Sequence, residues 1–499
     1  MKNKITLMVI MLMASLNSFA QFKLSGRIKN FKGTDSITLN IPLVYGNFSE
    51  NDTRIPISDK GGFVDKIMVT TQKFATFYYK NKMTTILLSP GKSLSLLIDS
   101  VGKITGFSGT GAEENKLLYQ AKLTEPPFFL QGDYKTNPYA KLQVAELQEK
   151  LVKPWFKIRD ENIARVKGSK IAANDKKLIE SEIYYQAYNE LNYFARGVMP
   201  ADKKMVGEFI IRNFDGLQPN PKTFPAGPWY YYFVENYVSY LDSKIFMQYE
   251  PTDVRSKEAF RKVYHMELDS AFAVVKRNGK SYIRWYLMKQ YFSKSVAEQY
   301  LAQAIWKECR EKDISHVTPL MDDFKTNFPN SSYMAILQRR VNTLELLGRQ
   351  NEQLKNIDVF AGYDKVKSIY EVVNTFKGKV IYLDVWGTWC GPCKRELTFN
   401  PRLKQRFKDK DVVFVYLDMD ADEKDADWRK FIRLNGITGI HLRKSNSEIQ
   451  QFWEELLPGK KERLYPSYFI FDKTGKLVLA DTKQPSDGEE LYTEIEKYL

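Results

Sequence analysis

The stretch Val380–Leu397 reads VIYLDVWGTWCGPCKREL and determines how the C-terminal part of the chain folds. Its first half, up to Trp386, is a near-continuous apolar run, which is typical of a central strand covered on both faces. Its second half places Cys390 and Cys393 two residues apart. Pro392 suits the first turn of a helix, where a missing N–H costs nothing. The stretch therefore predicts a strand, a turn and a helix, with two cysteines where the helix begins.

Cysteines at this spacing have four ordinary uses, and three of them fit poorly. A structural zinc needs four ligands, and only His441 accompanies the pair in this region. A c-type haem needs histidine directly after the second cysteine, where Lys394 stands. A purely structural disulfide across so short a loop would constrain the unfolded chain little. Dithiol redox chemistry is the remaining use, and we expect neither a metal nor a cofactor.

The expected position of the pair explains how it would react. At a helix N-terminus, backbone N–H groups and the helix dipole stabilise an anion, so the pKa of the Cys390 thiol should be lowered. Cys393, further into the first turn, would be shielded and would attack second, releasing the mixed disulfide. Gly391 leaves the rim low for a partner's sulfur.

Two further features accompany the pair. Asp384 interrupts an apolar strand, so we expect it to be buried, to have a raised pKa and to accept the proton of Cys393. The structural alternative is a hydrogen-bonded strand residue that faces a loop. Pro466 directly precedes another predicted strand, where an X–Pro bond is compatible with a cis turn. Such a turn would expose the backbone of Tyr465 for strand-like pairing with an extended substrate.

Composition limits the remaining possibilities. The chain has 499 residues, which is long for one domain. Its net charge of +15 comes from Lys and Arg spread among acidic residues, so nucleic acid is not expected as a partner. The third cysteine, Cys309, follows Leu301 and Ile305 at four-residue steps, which indicates a buried, inert thiol on the apolar face of a helix.

Residues 1–20 have the pattern of a cleaved secretory signal. Lys2 and Lys4 precede the apolar run ITLMVIMLMASL, and Ser18-Phe19-Ala20 offers small residues before a cut at Gln21. The run is shorter than the ~20 residues that span a bilayer, although a membrane anchor is the alternative. We therefore expect an exported protein in an oxidising compartment, the periplasm.

The mature chain divides into three predicted domains. Residues 21–110 alternate with period two between turn signals, which predicts a β-rich, antiparallel sandwich-like domain. Residues 111–355 show helical spacing and predict an all-α domain whose many aromatic residues form its core. Residues 356–499 alternate strand and helix, which predicts an α/β domain with right-handed crossovers.

The segments DVWGTWCGPCKRE and YPSYFIFDKTGKL resemble the thioredoxin fold, and more narrowly the TlpA/ResA-like extracytoplasmic thiol-disulfide oxidoreductases. This resemblance covers about the last 140 residues. The whole layout, with FSGTGAEENKLL at its first junction, is similar to a Bacteroidetes type that carries a DUF4369-like N-terminal domain.

The resemblance implies roles for individual residues. Cys390 would be the attacking thiol and Cys393 the resolving one, with Asp384 as the buried acid and Glu396 as a second acid. Pro466 would be the cis-proline. The residues that would meet the substrate are Trp389, Gly391, Pro392, Tyr465 and Pro466. The sequence departs from the family at Thr398, where relatives have a helix-kinking proline; here Pro401 comes later.

The function implied is reduction of disulfides in exported proteins, with a membrane thiol reductant of the DsbD type restoring the dithiol. Disulfide oxidation or isomerisation is the alternative within the class. An envelope binding module with a redox-sensitive switch is the alternative outside it. A peroxidase of the peroxiredoxin type is disfavoured, since it would have threonine three residues before its reactive cysteine, where Gly387 stands.

Overall fold

The computed structural model describes residues 21–33, 35–133, 136–220, 226–247, 249–250, 253–421, 424–460 and 462–499. The predicted signal segment, residues 1–20, lies outside this range. The chain forms two compact units, one ending at Gln303 and one running from Ala304 to Leu499. Among the described residues, no helix combines the length and apolar character that crossing a bilayer requires.

Two four-stranded sheets come first in the chain and enclose one core. Alternate residues supply that core, for example Phe22 and Leu24 from one sheet and Ile37 and Leu39 from the other. The orders are β4-β1-β7-β8 and β3-β2-β5-β6. The strands are β1 (Gln21–Ile28), β2 (Ser36–Asn40), β3 (Asp52–Pro56), β4 (Gly62–Met68), β5 (Lys73–Tyr79), β6 (Lys82–Leu88), β7 (Ser93–Ile98) and β8 (Ile104–Ser108). The expectation of purely antiparallel pairing is wrong in one place, because β1 and β7 run parallel.

Helices follow these sheets up to the end of the first unit. Aromatic side chains fill their core, as predicted: Tyr230 and Phe233 are fully buried. The helices are α1 (Ala112–Ala121), α2 (Val144–Leu147), α3 (Lys153–Gly168), α4 (Ala173–Gly197), α5 (Lys203–Phe214), α6 (Pro228–Phe246), α7 (Val254–Tyr264), α8 (Leu268–Asn278), α9 (Lys280–Tyr291) and α10 (Lys294–Arg310), the last of which extends past Gln303.

The second unit begins with two helices and continues as an α/β domain. Its helices are α11 (Ile314–Asn327), α12 (Met334–Asn351), α13 (Ile369–Val373), α14 (Gly391–Leu397), α15 (Asn400–Arg406), α16 (Asp425–Leu434), α17 (Ile449–Leu456) and α18 (Glu489–Glu496). Its strands are β9 (Ile357–Val359), β10 (Val380–Trp386), β11 (Val412–Met419), β12 (Gly439–Lys444), β13 (Ser467–Phe471) and β14 (Leu477–Ala480).

These six strands form one sheet in the order β14-β13-β10-β11-β12-β9. Strands β10, β11, β12 and β9 are parallel, whereas β13 is antiparallel to β10 and β14 to β13. Every residue of β10 is buried, as its apolar run predicts for a central strand. Side chains alternate between the two faces, so Ile381, Leu383 and Val385 enter one core while Trp386 enters the core that holds both cysteines.

One detail of the helices differs from the prediction. The helix expected to run on from Pro392 is two helices, α14 and α15, separated at Thr398 and Phe399. Pro401 lies in the first turn of α15, where a proline is tolerated. The boundary between compact units falls after Gln303, so α11 and α12 belong with the α/β domain. The boundaries predicted at 110 and 355 stay predictions.

Candidate active site

The cysteine pair lies just after the end of β10, at the start of α14. Cys390 and Cys393 form a disulfide with their Cα atoms 5.3 Å apart. Cys390 is the N-cap of α14, and its Sγ accepts a hydrogen bond from the backbone N–H of Cys393 at 3.2 Å. Both side chains are buried, with 3% and 1% of their surfaces exposed. The predicted strand–turn–helix arrangement is therefore present, with the sulfurs at the first turn.

The rim beside the pair is open and aromatic. Trp389 is 54% exposed, and its indole Nε1–H donates to the carbonyl oxygen of Met419 at 2.8 Å. A Cβ at Gly387 would lie 2.6 Å from the Trp389 indole nitrogen and 3.2 Å from the Met419 carbonyl oxygen, so a larger residue there would displace the Trp389 ring. Gly391 is exposed and has no neighbouring atom within 4 Å of the place a Cβ would take. The rim at Gly391 is therefore low and open.

The turn before β13 lies at the same edge of the sheet. Because β13 is antiparallel to β10 and Ser467 pairs with Val385, Pro466 lies where β10 ends. The Tyr465–Pro466 peptide bond is cis. The Tyr465 ring meets the Trp389 ring edge to face, with centroids 5.2 Å apart. The structure thus brings together the residues predicted to meet a substrate.

Asp384 lies in the middle of β10 and is 2% exposed. Among the described residues, its Oδ1 atom has no hydrogen-bond partner. Burial raises the pKa of Asp384 to about 8; the Lys404 ammonium lowers it and the Glu396 carboxylate raises it further. Because side chains alternate along a strand, Asp384 shares a face with Trp386, which packs with both cysteines. The expected buried acid with a raised pKa is present behind the pair.

Lys404 is a partner of this acid that the sequence analysis missed. It comes from α15, where its ammonium donates to the carbonyl of Thr438 and lies 4.8 Å from the ring centroid of Tyr416. Tyr416 is the register partner of Asp384 on β11. Burial lowers the pKa of Lys404 to about 7, while the Asp384 charge raises it.

Two more carboxyl groups at the end of β11 were also missed. Asp420 accepts hydrogen bonds from the backbone N–H and the hydroxyl of Thr388 at 3.2 and 2.6 Å, which fixes the turn before Cys390. Burial raises the pKa of Asp420, and the Thr388 bonds lower it. Asp418 is fully buried. Its pKa is raised well above the ordinary range, mainly by this burial and in second place by the neighbouring Asp420 carboxylate.

Glu396, the second acid implied by the resemblance, holds α14 in place. Its carboxylate accepts from the backbone N–H and the hydroxyl of Ser486 at 2.9 and 3.0 Å. These bonds tie the helix that carries Cys393 to the short turn Pro485–Asp487. Glu396 therefore acts on the site through the position of the helix and through its charge near Asp384.

A dithiol on the first turn of the helix after a central strand, beside a proline that begins the adjacent antiparallel strand, is the arrangement of the thioredoxin fold. Residues 367–495 match the Redoxin family. The C-terminal domain accordingly belongs to the thioredoxin superfamily, in its TlpA/ResA-like branch, and is an oxidoreductase domain of the thiol-disulfide type.

Individual known proteins are similar to part of this chain. Thiol-disulfide oxidoreductase ResA of Bacillus thuringiensis subsp. konkukian is 31% identical over 125 residues, which are 25% of this chain and 64% of the relative. ResA of Bacillus anthracis is 32% identical over 124 residues, 25% of this chain and 63% of the relative. A crystal structure of the thioredoxin domain of a thiol-disulfide oxidoreductase from Bacteroides vulgatus is 24% identical, with a TM-score of 0.22, over 25% of this chain and 82% of that one. The chain spans a little under two thirds of the length of the curated relatives it matches. The DUF4369-like N-terminal domain stays a prediction.

Proposed function

We propose that the whole protein is an extracytoplasmic thiol-disulfide oxidoreductase that reduces disulfides of exported proteins. The observation that carries the proposal is the buried Cys390–Cys393 disulfide at the start of α14, with an open rim above it and a buried acid on the same side of the sheet. Such a pair can accept a partner's sulfur from the rim and resolve the product internally.

The exchange proceeds in two displacements. The Cys390 thiolate attacks one sulfur of the substrate disulfide, forming a mixed disulfide and releasing the other substrate sulfur as a thiolate that takes up a proton. The Cys393 thiol then loses its proton and attacks Cys390 Sγ, which breaks the mixed disulfide and frees the second substrate thiol. Two electrons pass to the substrate, and the protein is left with the Cys390–Cys393 disulfide.

Asp384 is proposed to take the Cys393 proton during the second displacement. A carboxyl with a pKa of about 8 is close to the pKa of an ordinary thiol, about 8.5, so the ionised form of Asp384, about a tenth of the molecules at pH 7, can take the proton at little cost. An exposed carboxylate, with its pKa near 4, would hold that proton far too weakly. The burial that destabilises the Asp384 charge is therefore what makes it a useful base here.

The direction of electron flow and the location are also proposals. The Gly391-Pro392 dipeptide between the cysteines is that of reducing relatives, and it supports a low potential. The difference between a thioredoxin-like and a DsbA-like potential is about 150 mV, or roughly 7 kcal/mol for two electrons, so the direction is a large energetic property. Location in the periplasm rests on the pattern of residues 1–20, and we propose a membrane thiol reductant of the DsbD type as the electron donor.

Trapping tests the exchange directly. In a Cys393→Ser protein the mixed disulfide through Cys390 cannot be resolved, so covalent adducts with disulfide-containing exported proteins should accumulate and disappear on reduction. A Cys390→Ser protein, which keeps one cysteine of the pair, is the matched control and should trap none. Equal amounts of adduct with both variants, or adducts with neither, would contradict the proposal. A Cys390→Ser protein that retains its full cellular phenotype would favour a binding role.

A further inference from the structure

Lys394, the residue directly after Cys393, pairs with two acidic residues that lie outside the segment matching the Redoxin family. The Lys394 ammonium lies 3.3 Å from a carboxylate oxygen of Glu311 and 3.9 Å from one of Asp313. Both acids lie in the loop between α10 and α11, within the same compact unit as the cysteines. The ion pair is partly buried: 14% of the Lys394 side chain and 11% of the Asp313 side chain are exposed, whereas Glu311, the nearer acid, is 32% exposed.

Asp313 is built to stay charged. Its carboxylate accepts a hydrogen bond from the Ser315 hydroxyl at 2.7 Å and lies 2.9 Å from Nδ1 of His316. Burial on its own would raise the pKa of Asp313, but the His316 bond and charge, the Ser315 bond and the Lys394 charge together lower it to about 2. The loop therefore presents a carboxylate to Lys394 throughout the neutral pH range.

The helices that follow this loop are fixed on the α/β domain at a second point. The side-chain amide of Asn351, at the end of α12, donates to the carbonyl of Leu434 at the end of α16 at 3.0 Å. A Cβ added at Gly348 would lie 3.6 Å from the Leu434 side chain, so α12 and α16 pack closely there. Held at α12 as well as at Lys394, the loop keeps a defined place beside α14.

Lys394 in turn lies against the surroundings of the cysteines. Its backbone N–H donates to the carbonyl of Cys390 at 3.1 Å, within the first turn of α14. Its ammonium is 5.3 Å from the ring centroid of Phe431, and Phe431 packs in the same apolar cluster as Cys390, Cys393 and Trp386. In a partly buried place of this kind, charges interact more strongly than they do in water.

We infer that Glu311 and Asp313 are positioning residues for the thiol chemistry. By pairing with the Lys394 ammonium, they weaken its electrostatic stabilisation of the Cys390 thiolate and so keep the cysteine pair reducing. The inference rests on the proposed function. A free ammonium beside the pair would stabilise the thiolate, and with it the reduced form. A stabilised reduced form makes a dithiol a stronger oxidant. The two carboxylates act against this, so a segment outside the Redoxin match contributes to the direction of electron flow.

Other charged groups near the pair are left unchanged by the test. Asp384 and Glu396 lie on the strand and helix that carry the cysteines, Asp418 and Asp420 lie at the end of β11, and Lys404 comes from α15. None of these side chains is joined to Glu311 or Asp313 by a hydrogen bond or ion pair among the described contacts. Replacing the loop acids therefore changes the charge on Lys394's side of the site, where Asp313→Asn also removes the partner of His316, and leaves the acid behind the pair alone.

The test is the pH dependence of Cys390 alkylation in the reduced full-length protein. In Glu311→Gln and Asp313→Asn proteins, the midpoint should fall by up to about one pH unit, a change of up to about tenfold in thiol acidity. In a Lys394→Met protein it should rise. The equilibrium constant with glutathione should shift several-fold toward a more oxidising cysteine pair in the acid variants, and toward a more reducing pair in Lys394→Met. A tenfold change in this constant corresponds to about 30 mV.

Glu345→Gln is the matched control, because it removes one carboxylate from an exposed position on α12 and should leave the midpoint unchanged. An unchanged midpoint in both acid variants, or shifts of one sign for the acids and for Lys394, would overturn the inference. If the acid variants lose structure by circular dichroism, the Lys394→Met protein decides alone, because it leaves no buried group without a partner. Absence of any exchange with glutathione in the wild-type protein would instead refute the proposed function.

Discussion

Replacing Asp384 by asparagine should make the C-terminal domain more stable. The carboxyl group is fully buried and its pKa is about 8, against about 4 for an aspartate in an unfolded chain. Each unit of difference is worth about 1.4 kcal/mol, so at pH 7, some three units above the unfolded value, keeping this acid costs roughly 4 kcal/mol. Asparagine has the same shape and no proton to bind, so the variant should recover about that amount.

The sign of the pH dependence follows from the raised pKa. Between about pH 4 and pH 8 the folded protein binds a proton at Asp384 that the unfolded chain has lost, so the stability that the neutral acid confers is complete below pH 4 and is lost as pH rises through 8. Wild type and Asp384→Asn should therefore have similar stabilities near pH 4 and separate progressively up to pH 8. Hydrogen exchange of the β10 amides, followed by mass spectrometry over this range in the oxidised protein, measures the domain's opening free energy without a global two-state assumption.

Asp411→Asn provides the matched control. Asp411 is exposed and lies 3.5 Å from the ammonium of Lys473 at the surface, where an ion pair of this kind contributes under about 1 kcal/mol. Its replacement should shift stability by the same small amount at every pH. If Asp384→Asn is no more stable than wild type at pH 7, or if the difference between them does not grow with pH, then the pKa of Asp384 is not raised in the folded protein and the proposed match with the Cys393 thiol loses its basis.

Three further substitutions test other contacts. Trp389→Ala should change stability by under about 1 kcal/mol, since the ring is half exposed, but should slow exchange with a peptide disulfide roughly tenfold in a stopped-flow assay. Glu182→Ala should cost roughly 1–3 kcal/mol in denaturant titrations at pH 4, where this buried acid, whose pKa burial raises to about 8, carries its proton in the folded protein, because its carboxyl oxygens accept the backbone N–H groups of Trp229 and Tyr230. Gly439→Ala should cost about 1–3 kcal/mol by thermal unfolding, because φ is +126° there and the new Cβ would lie 2.7 Å from a backbone oxygen.

The sequence predicts the centre of the active site well because its signals are local. The strand β10, the turn and the start of α14 are adjacent in the chain, and an apolar run followed by Cys-Gly-Pro-Cys leaves few alternatives. Asp384 stood out for the same reason, as one acid within that run. Pro466 was placed correctly because it directly precedes a strand that pairs with β10.

The parts that were missed depend on contacts between distant segments. Strand β12 is not predicted from the sequence because it contains Arg443 and Lys444, and charged residues are normally expected at the surface. Both are buried, Arg443 beside Asp425 and the carbonyl of Asp420, and Lys444 with the carbonyl of Asp364. Strand β9 has three residues, too few to show a period.

The same limit applies to the charged groups around the cysteines. The charge of Lys404 acts on Asp384 from a helix that begins after the break at Thr398, and no spacing in the chain indicates that approach. Asp418 and Asp420 look like the polar end of a strand until the fold puts Thr388 next to them. The loop acids beside Lys394 lie some eighty residues earlier, in a segment predicted as part of another domain.

The reduction potential of the Cys390–Cys393 couple tests the central claim most directly. It is obtained by equilibrating the full-length protein with glutathione or dithiothreitol buffers at pH 7 and quantifying the oxidised and reduced forms by mass after alkylation. A reductase of exported proteins should have a potential near that of thioredoxin, about −270 mV. A value near that of DsbA, about −120 mV, would contradict the account and assign the protein to disulfide formation instead.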